Sequence, residues 1–327
     1  MDASNVIATQ YKDQLPKNIR ASWPEIFNYT AGLASILSLI QGAVAGKTAT
    51  EGIPYISMAI LIATLMIHSY MRERKKLHRY AQAVYFYHYA NHIVRDYLAQ
   101  LKAEKLNSKP EHVLQDLTDS IAQCFSIITG KRCRSSVKEL FKEESADNFQ
   151  IKTVSRDKIG EKISNKRAVS VVHTLSGNTD FYNLWYSIEG CSRYYIENDI
   201  PGIWKHRKYE NTSFKETGEP EIKNFAGLTV ITRWPLPYKS TIVFPIRYVG
   251  RFEPPEVGTN EEKSNWRYRG FLCVDCNSRN VFESTLMPEL GTGFADLLYI
   301  MLDQSAFVVD MRETSKSKGG GPPVSPA

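Results

Sequence analysis

Between Ile53 and Tyr70 the chain reads IPYISMAILIATLMIHSY, eighteen residues without an Asp, Glu, Lys or Arg. At 1.5 Å of rise per residue, such a run sits at the lower limit for crossing ~30 Å of hydrocarbon. Arg72, Arg74, Lys75, Lys76 and Arg79 follow at once, a cluster that holds its end of a membrane helix on the cytoplasmic side. A weaker run, Ile26 to Gly46, precedes it. Its small residues Gly32, Ala34, Ser35, Ser38, Gly42 and Ala45 suit close helix packing. Lys12, Lys17 and Arg20 lie before the first run, and the turn between the two offers only Lys47. The apolar run starts too late for a cleaved signal peptide. The expectation is a cytoplasmic segment over residues 1–24 and a two-helix transmembrane hairpin over 25–71. Both termini then face the cytoplasm, in a bacterial inner membrane. The competing reading makes both runs core helices of a soluble domain.

The remaining chain is long enough for one soluble domain, since the whole has 327 residues. A net charge of +6 comes largely from clusters beside the apolar runs and from the tail, which argues against a nucleic-acid partner. Cys124, Cys133, Cys191, Cys273 and Cys276 form no recognisable disulfide framework, and their odd number fits a reducing compartment.

Residues 72–106 contain no Gly or Pro and read as a connector helix. Leu77, Tyr80, Val84, Tyr87, Asn91, Val94, Leu98 and Leu101 follow alternating spacings of three and four, a heptad pattern. Asn91 takes a seam position where one polar residue fixes register and strand number. The pattern predicts a coiled-coil-like homodimer or higher homo-oligomer; the alternative is a helix packed on its own domain. His88 and His92 stand one turn apart. Two ligands do not make a metal site, and no metal is expected.

Residues 107–312 read as an α/β domain and 313–327 as a disordered tail. Pro110 opens a helix with Val113, Leu114, Leu117, Ile121, Phe125 and Ile128 on one face, and Gly130 is its natural C-cap. Strands are expected over Lys131 to Phe141, Phe149 to Ser155, Thr229 to Trp234, Ser240 to Val249 and Arg267 to Asp275. Glu256 to Asn265 reads as a polar hairpin tip. Ser284 starts a final helix to about Met311, with Pro288 tolerated in its first turn.

The order of these elements resembles the GAF sensor fold over roughly Pro110 to Asp310. KSTIVFPIRYV, a loop, RGFLCVDCNSRNVFE and a long amphipathic helix carry the resemblance, with ITGKRCRSSVKEL similar to that family's first strand. The fold class expected is therefore an α/β, GAF-like antiparallel sheet domain flanked by helices, behind a membrane hairpin and a connector. The resemblance implies a small-molecule pocket between the sheet and a variable segment, here Asn178 to Phe214. Phe181, Tyr182, Trp185, Arg193, Tyr195, Trp204 and Arg207 are the candidate ligand-binding residues. Aromatic walls with interleaved cations suit a planar anionic ligand such as a nucleotide. The alternative makes the aromatics ordinary core and the cations a wet rim. A chromophore-attaching thiol would be Cys191.

Cys273-Val-Asp-Cys276 is a C-x-x-C at a strand end, without the helix N-terminus that acidifies a redox thiol and without two further zinc ligands. The function expected is a membrane-anchored, non-enzymatic sensor with no bound cofactor. Alternatives are a nucleotide-gated membrane-disrupting effector, a scaffold with an empty GAF-like domain, and a cysteine-dependent sulfoxide reductase.

Overall fold

The computed structural model describes residues 49–103, 109–141, 149–158, 172–186, 193–206, 208–225, 228–247 and 268–318, with scattered positions between 32 and 45. The chain divides into two compact units, Met1–Leu77 and His78–Ala327. Helix α1 (Ala49–Lys102) runs through the boundary.

In the first unit, Ser35, Ile36 and Ile40 line the same apolar cleft as Tyr55, Met58, Ala59 and Ile62. Met58, Ile60, Leu61, Leu65 and Ile67 are exposed around α1. Among the described residues, no helix is long and apolar enough to cross a membrane. Ser57, Thr64 and His68 interrupt the apolar run, and Thr64 turns its hydroxyl back to the Ile60 carbonyl at 2.8 Å. The transmembrane hairpin expected above thus finds no support in the described residues, and much of Ile26–Gly46 lies outside them.

The second unit is built on alternation along three adjacent strands. Its six-stranded antiparallel sheet comprises β1 (Cys133–Phe141), β2 (Gln150–Arg156), β3 (His173–Thr174), β4 (Tyr195–Glu197), β7 (Ser240–Ile246) and β8 (Gly270–Cys276). The order is β3-β2-β1-β8-β7-β4. Side chains alternate between faces along a strand. On one face Cys133, Val137, Ile242, Phe244, Ile246, Leu272, Val274 and Cys276 form a dry floor. Helix α2 (Pro110–Thr129) and helix α6 (Leu286–Lys318) cover it. The face foreseen for α2 is the buried one, and Gly130 caps it at φ 65°, the left-handed conformation glycine tolerates best. Gly291 of α6 lies so close to the floor that a Cβ there would meet the Phe244 ring at 2.0 Å.

The second half of α1 belongs to this core. Ala83, Ala90, Val94, Tyr97 and Leu101 are buried in it, with Tyr80, Tyr87 and Leu98 packed alongside. The Cys124 thiol reaches the Ala83 carbonyl at 3.5 Å, and the Asn91 amide bonds the Tyr87 carbonyl at 2.9 Å. This corrects the coiled-coil reading of the connector: most of its stripe is covered by its own domain. Only Leu77 and Val84, 63% and 61% exposed, stay open for a second copy. A heptad stripe has the same period whichever helix covers it, so spacing alone does not choose the partner.

Two further expectations change. The stretch Thr229 to Trp234 does not join the main sheet; β6 (Leu228–Arg233) pairs only with β5 (Glu221–Phe225) in a separate hairpin. Helix α6 continues to Lys318, so residues 313–318 are helical rather than tail, while 319–327 lie outside the described residues. Glu256–Asn265 also lies outside them. Between β3 and β5 the chain forms three short helices, α3 (Thr179–Tyr186), α4 (Ile200–Lys205) and α5 (Phe214–Thr217), with Asp199 capping α4 through the Gly202 N–H at 3.1 Å. This unit is an α/β layout: helices on one sheet face, an irregular cover on the other.

If α1 is core to its own domain, Leu101→Ala costs ~2–5 kcal/mol in denaturant unfolding, whereas Leu77→Ala stays within about 0.5 kcal/mol. A pure coiled-coil seam instead makes both costly, with midpoints that depend on protein concentration.

Candidate functional site

The second face of the sheet is the chemically mixed one. From β8 it carries Phe271, Cys273 and Asp275, alternating with the apolar floor residues. From β1 come Arg134, Ser136 and Lys138, whose cross-strand partners are Asp275, Cys273 and Phe271. Strand β7 adds Thr241 and Val243, opposite Asp275 and Cys273. Helix α3 lies over this face and contributes Asp180, Phe181, Leu184 and Trp185. Tyr195 on β4 packs against the same cluster.

A polar lock positions α3. The buried His173 ring bonds the Thr212 hydroxyl at 2.6 Å, and the Asn178 amide donates to the Thr174 carbonyl at 2.8 Å and to Thr212 at 3.1 Å. Burial, then the charges of Lys138 and Arg156, hold His173 down at about 4, so it is neutral here at ordinary pH. Asn198 fixes the far end, donating to the Phe282 carbonyl at 2.8 Å and accepting from the Val281 and Phe282 N–H groups.

Under α3 lies a group of ionisable side chains that are buried or half-buried. Asp180 is only 5% exposed. Burial lifts its carboxyl from 3.8 to about 6, against the Phe181 N–H and the Lys138 charge, which pull it down. A displacement of that size is worth roughly 3 kcal/mol between the two protonation states. Burial also raises the Asp275 carboxyl, opposed by the Thr241 hydroxyl at 2.7 Å and by Arg134, Lys138 and Arg156. Tyr209 and Tyr238 are raised well above 10 by burial, and the Asn211 amide donates to both their oxygens, at 3.1 and 2.9 Å. Cys273 is raised by burial too.

Burial dominates the titration of Asp275, Tyr238 and Tyr195, yet each keeps part of its surface accessible. Aromatic rings with a polar end are a chemistry that small molecules can meet.

The structure separates the candidate residues named from sequence. Phe181 and Trp185 are buried on the mixed face; Phe181 stacks near Phe271 with ring centroids 4.8 Å apart, and the Lys138 ammonium lies 5.6 Å from the Phe181 centroid. Tyr195 joins them, whereas Tyr182 is 45% exposed. Trp204 belongs to another cluster, with Phe214 and Trp234 at 6.3 Å. Arg193 is exposed and pairs with Glu289 at 3.5 Å. Lys205, His206 and Lys208 are exposed as well. Arg207 and Cys191 lie outside the described residues. The aromatics converge in part; the cations of this segment do not. Sequence reasoning missed Asp180, Lys138, Thr241 and Asp275. A lone polar residue at every second position of an apolar strand was the available signal for the last two.

The C-x-x-C is split by the same alternation. Cys273 faces the mixed side and Cys276 the helix side, directly across from Cys133. The two thiols share a hydrogen bond, which lowers Cys276 and raises Cys133. His88 and His92 meet at 2.8 Å through their Nε2 atoms. Among the described residues, no three His, Cys, Asp or Glu side chains are placed to hold a metal ion.

No family model matches this chain, and no curated protein matches it. Solved structures similar to it include a type II free methionine-R-sulfoxide reductase from Thermoplasma acidophilum. The match has 12% identity and a TM-score of 0.33, and covers 59% of this chain and 94% of that one. A GAF domain matches at 10% identity and a TM-score of 0.35, covering 65% and 88%. The GAF domain of an Acinetobacter phosphoenolpyruvate-protein phosphotransferase matches at 10% and 0.36, covering 68% and 97%.

Because the folded Asp180 carboxyl lies above its unfolded value, its stabilising contribution is full below about pH 4 and lost as pH rises through about 6. Asp180→Asn removes that dependence. Thermal melts across pH 4–8 are expected to show the variant gaining on the parent between pH 4 and 6 and holding that gain above; parallel curves throughout would contradict the assignment.

Proposed function

We propose that the second unit is a ligand-sensing domain that acts by binding rather than by chemistry. The observation that carries this reading is the mixed sheet face itself: buried ionisable and aromatic side chains between the sheet and an irregular cover. A protein gains nothing in stability from burying carboxylates there, since such groups cost free energy unless something compensates them. Cys273, the thiol on that face, is kept protonated by burial, which favours binding over nucleophilic chemistry. Helix α1 is the covalent link from this domain to the first unit and the natural element to carry a change in occupancy.

The test is thermal unfolding of the full chain against a panel of nucleotides and other small aromatic metabolites, followed by Trp fluorescence. A ligand at a hundredfold its Kd stabilises by about 2.7 kcal/mol. The reading predicts at least one saturable shift with a fluorescence change, lost in Trp185→Ala. A panel that moves neither signal counts against it. Replacing Cys133, Cys273 and Cys276 by Ser is expected to leave ligand binding and any in vivo phenotype intact; loss of the phenotype with binding retained would favour a cysteine-dependent enzyme.

Membrane anchoring is a second part of the proposal, supported by one observation. Met58, Ile60, Leu61, Leu65 and Ile67 are exposed around α1 just before Arg72, Arg74, Lys75, Lys76 and Arg79. Apolar surface of that extent needs a cover, and a lipid surface flanked by cations supplies one. The full chain is expected in the membrane fraction after alkaline carbonate washing. Release by carbonate, with a large homo-oligomer in solution, would assign that surface to self-association.

A further inference from the structure

We infer that Cys133 and Cys276 form an oxidation site, a cross-strand pair of thiols that a hydroperoxide converts into an intramolecular disulfide. The inference stands apart from the sensing role, because these sulfurs lie on the helix side of the sheet and not on the mixed face.

Strand register carries it. Cys133, the first residue of β1, stands directly opposite Cys276, the last residue of β8. Their backbones turn their polar groups away from each other. The Cys133 N–H donates to the Ser126 hydroxyl at 2.9 Å, and the Cys276 carbonyl accepts from the Lys239 N–H at 2.8 Å. The two residues are therefore a non-hydrogen-bonded antiparallel pair, the kind that brings side chains closest. Such pairs hold their Cα atoms about 4.5 Å apart, inside the ~4.4–6.8 Å that a disulfide spans. No backbone movement is needed to close the bridge. The other described thiols are placed differently. Cys124 reaches the Ala83 carbonyl at 3.5 Å, and Cys273 faces the opposite side of the sheet, across from Ser136 and Val243.

The surroundings divide the roles. Cys276 is the nucleophile: the hydrogen bond from Cys133 favours its thiolate, helped by Ser278 and the Arg134 charge and opposed by burial. Cys133, touched by the Thr129 hydroxyl at 3.4 Å, keeps its proton and resolves the intermediate. The Cys276 thiolate attacks one peroxide oxygen, the O–O bond breaks, and hydroxide leaves to take up a proton as water. The Cys133 sulfur then attacks the Cys276 sulfenic acid; the S–S bond forms and the S–O bond breaks, releasing a second water. The two thiols lose two electrons and two protons, and the peroxide is reduced to water. Both sulfurs are buried, but each lies at a strand end beside an exposed residue, Arg132 or Asn277. Opening of a strand end admits a molecule as small as hydrogen peroxide.

The test treats the reduced full chain with hydrogen peroxide, counts thiols after denaturation, and maps peptides without reduction by mass spectrometry. Two of the five thiols should be lost, with a linked peptide joining Cys133 to Cys276 at the mass of two hydrogens less. In Cys133→Ser the bridge is lost, and dimedone should capture a sulfenic acid on Cys276. Survival of all five thiols, or bridges that instead join Cys191, Cys273 or two separate chains, overturns the assignment. If the variant does not fold, the peptide map of the parent chain decides alone.

Discussion

The whole domain depends on one strand, β8, being buried on both faces while carrying different chemistry on each. Leu272, Val274 and Cys276 point to a dry side; Phe271, Cys273 and Asp275 point to the other. Flanking strands β1 and β7 repeat the division in register. The dry face has one physical solution, a cover of apolar helices, and α1, α2 and α6 provide it. The mixed face cannot be closed so simply. A carboxylate, hydroxyls and a lysine stem need partners, so its cover is a set of short helices tied down by side-chain hydrogen bonds through Asn178, Asn198, Thr212 and Asn211.

That division explains where order is concentrated and where chemistry is available. On the dry side, contacts are close: Gly291 has no room for a methyl group against Phe244, and Phe125 meets Phe244 with centroids 6.3 Å apart. Close packing of this kind resists change and suits a scaffold. On the mixed side, aromatic rings and ionisable groups share the space between sheet and cover. Cover elements of four to eight residues, held by a few hydrogen bonds, open at lower free energy than the sheet beneath them.

The elements of the scaffold were legible because period and punctuation agreed. Pro110 and Gly130 bracket α2, and its apolar face is the buried one. STIVFPI and GFLCVDC were read as strands, and both are buried almost throughout. Other features were not legible for physical reasons. Strands of two and three residues, His173–Thr174 and Tyr195–Glu197, are too short to show a period. The strand Leu228–Arg233 has the same local pattern whether it pairs in a main sheet or in a hairpin. The stripe on α1 reads identically for an internal helix and for a coiled coil. Aromatic residues of the cover were visible, but which cluster each joins depends on how the chain folds back, so Trp204 and Trp185 were grouped and are apart. Asp180 and Asp275 are ordinary acids in sequence; only their burial makes them notable.

The central claim is that the mixed face holds Asp180 buried and still ionisable. Carbon-13 NMR of the aspartate side-chain carboxyls, titrated in the full chain and assigned with Asp180→Asn, reads this directly. The account predicts that Asp180 titrates near 6. Titration at the ordinary value of 3.8 would mean the carboxyl is open to water and would contradict it.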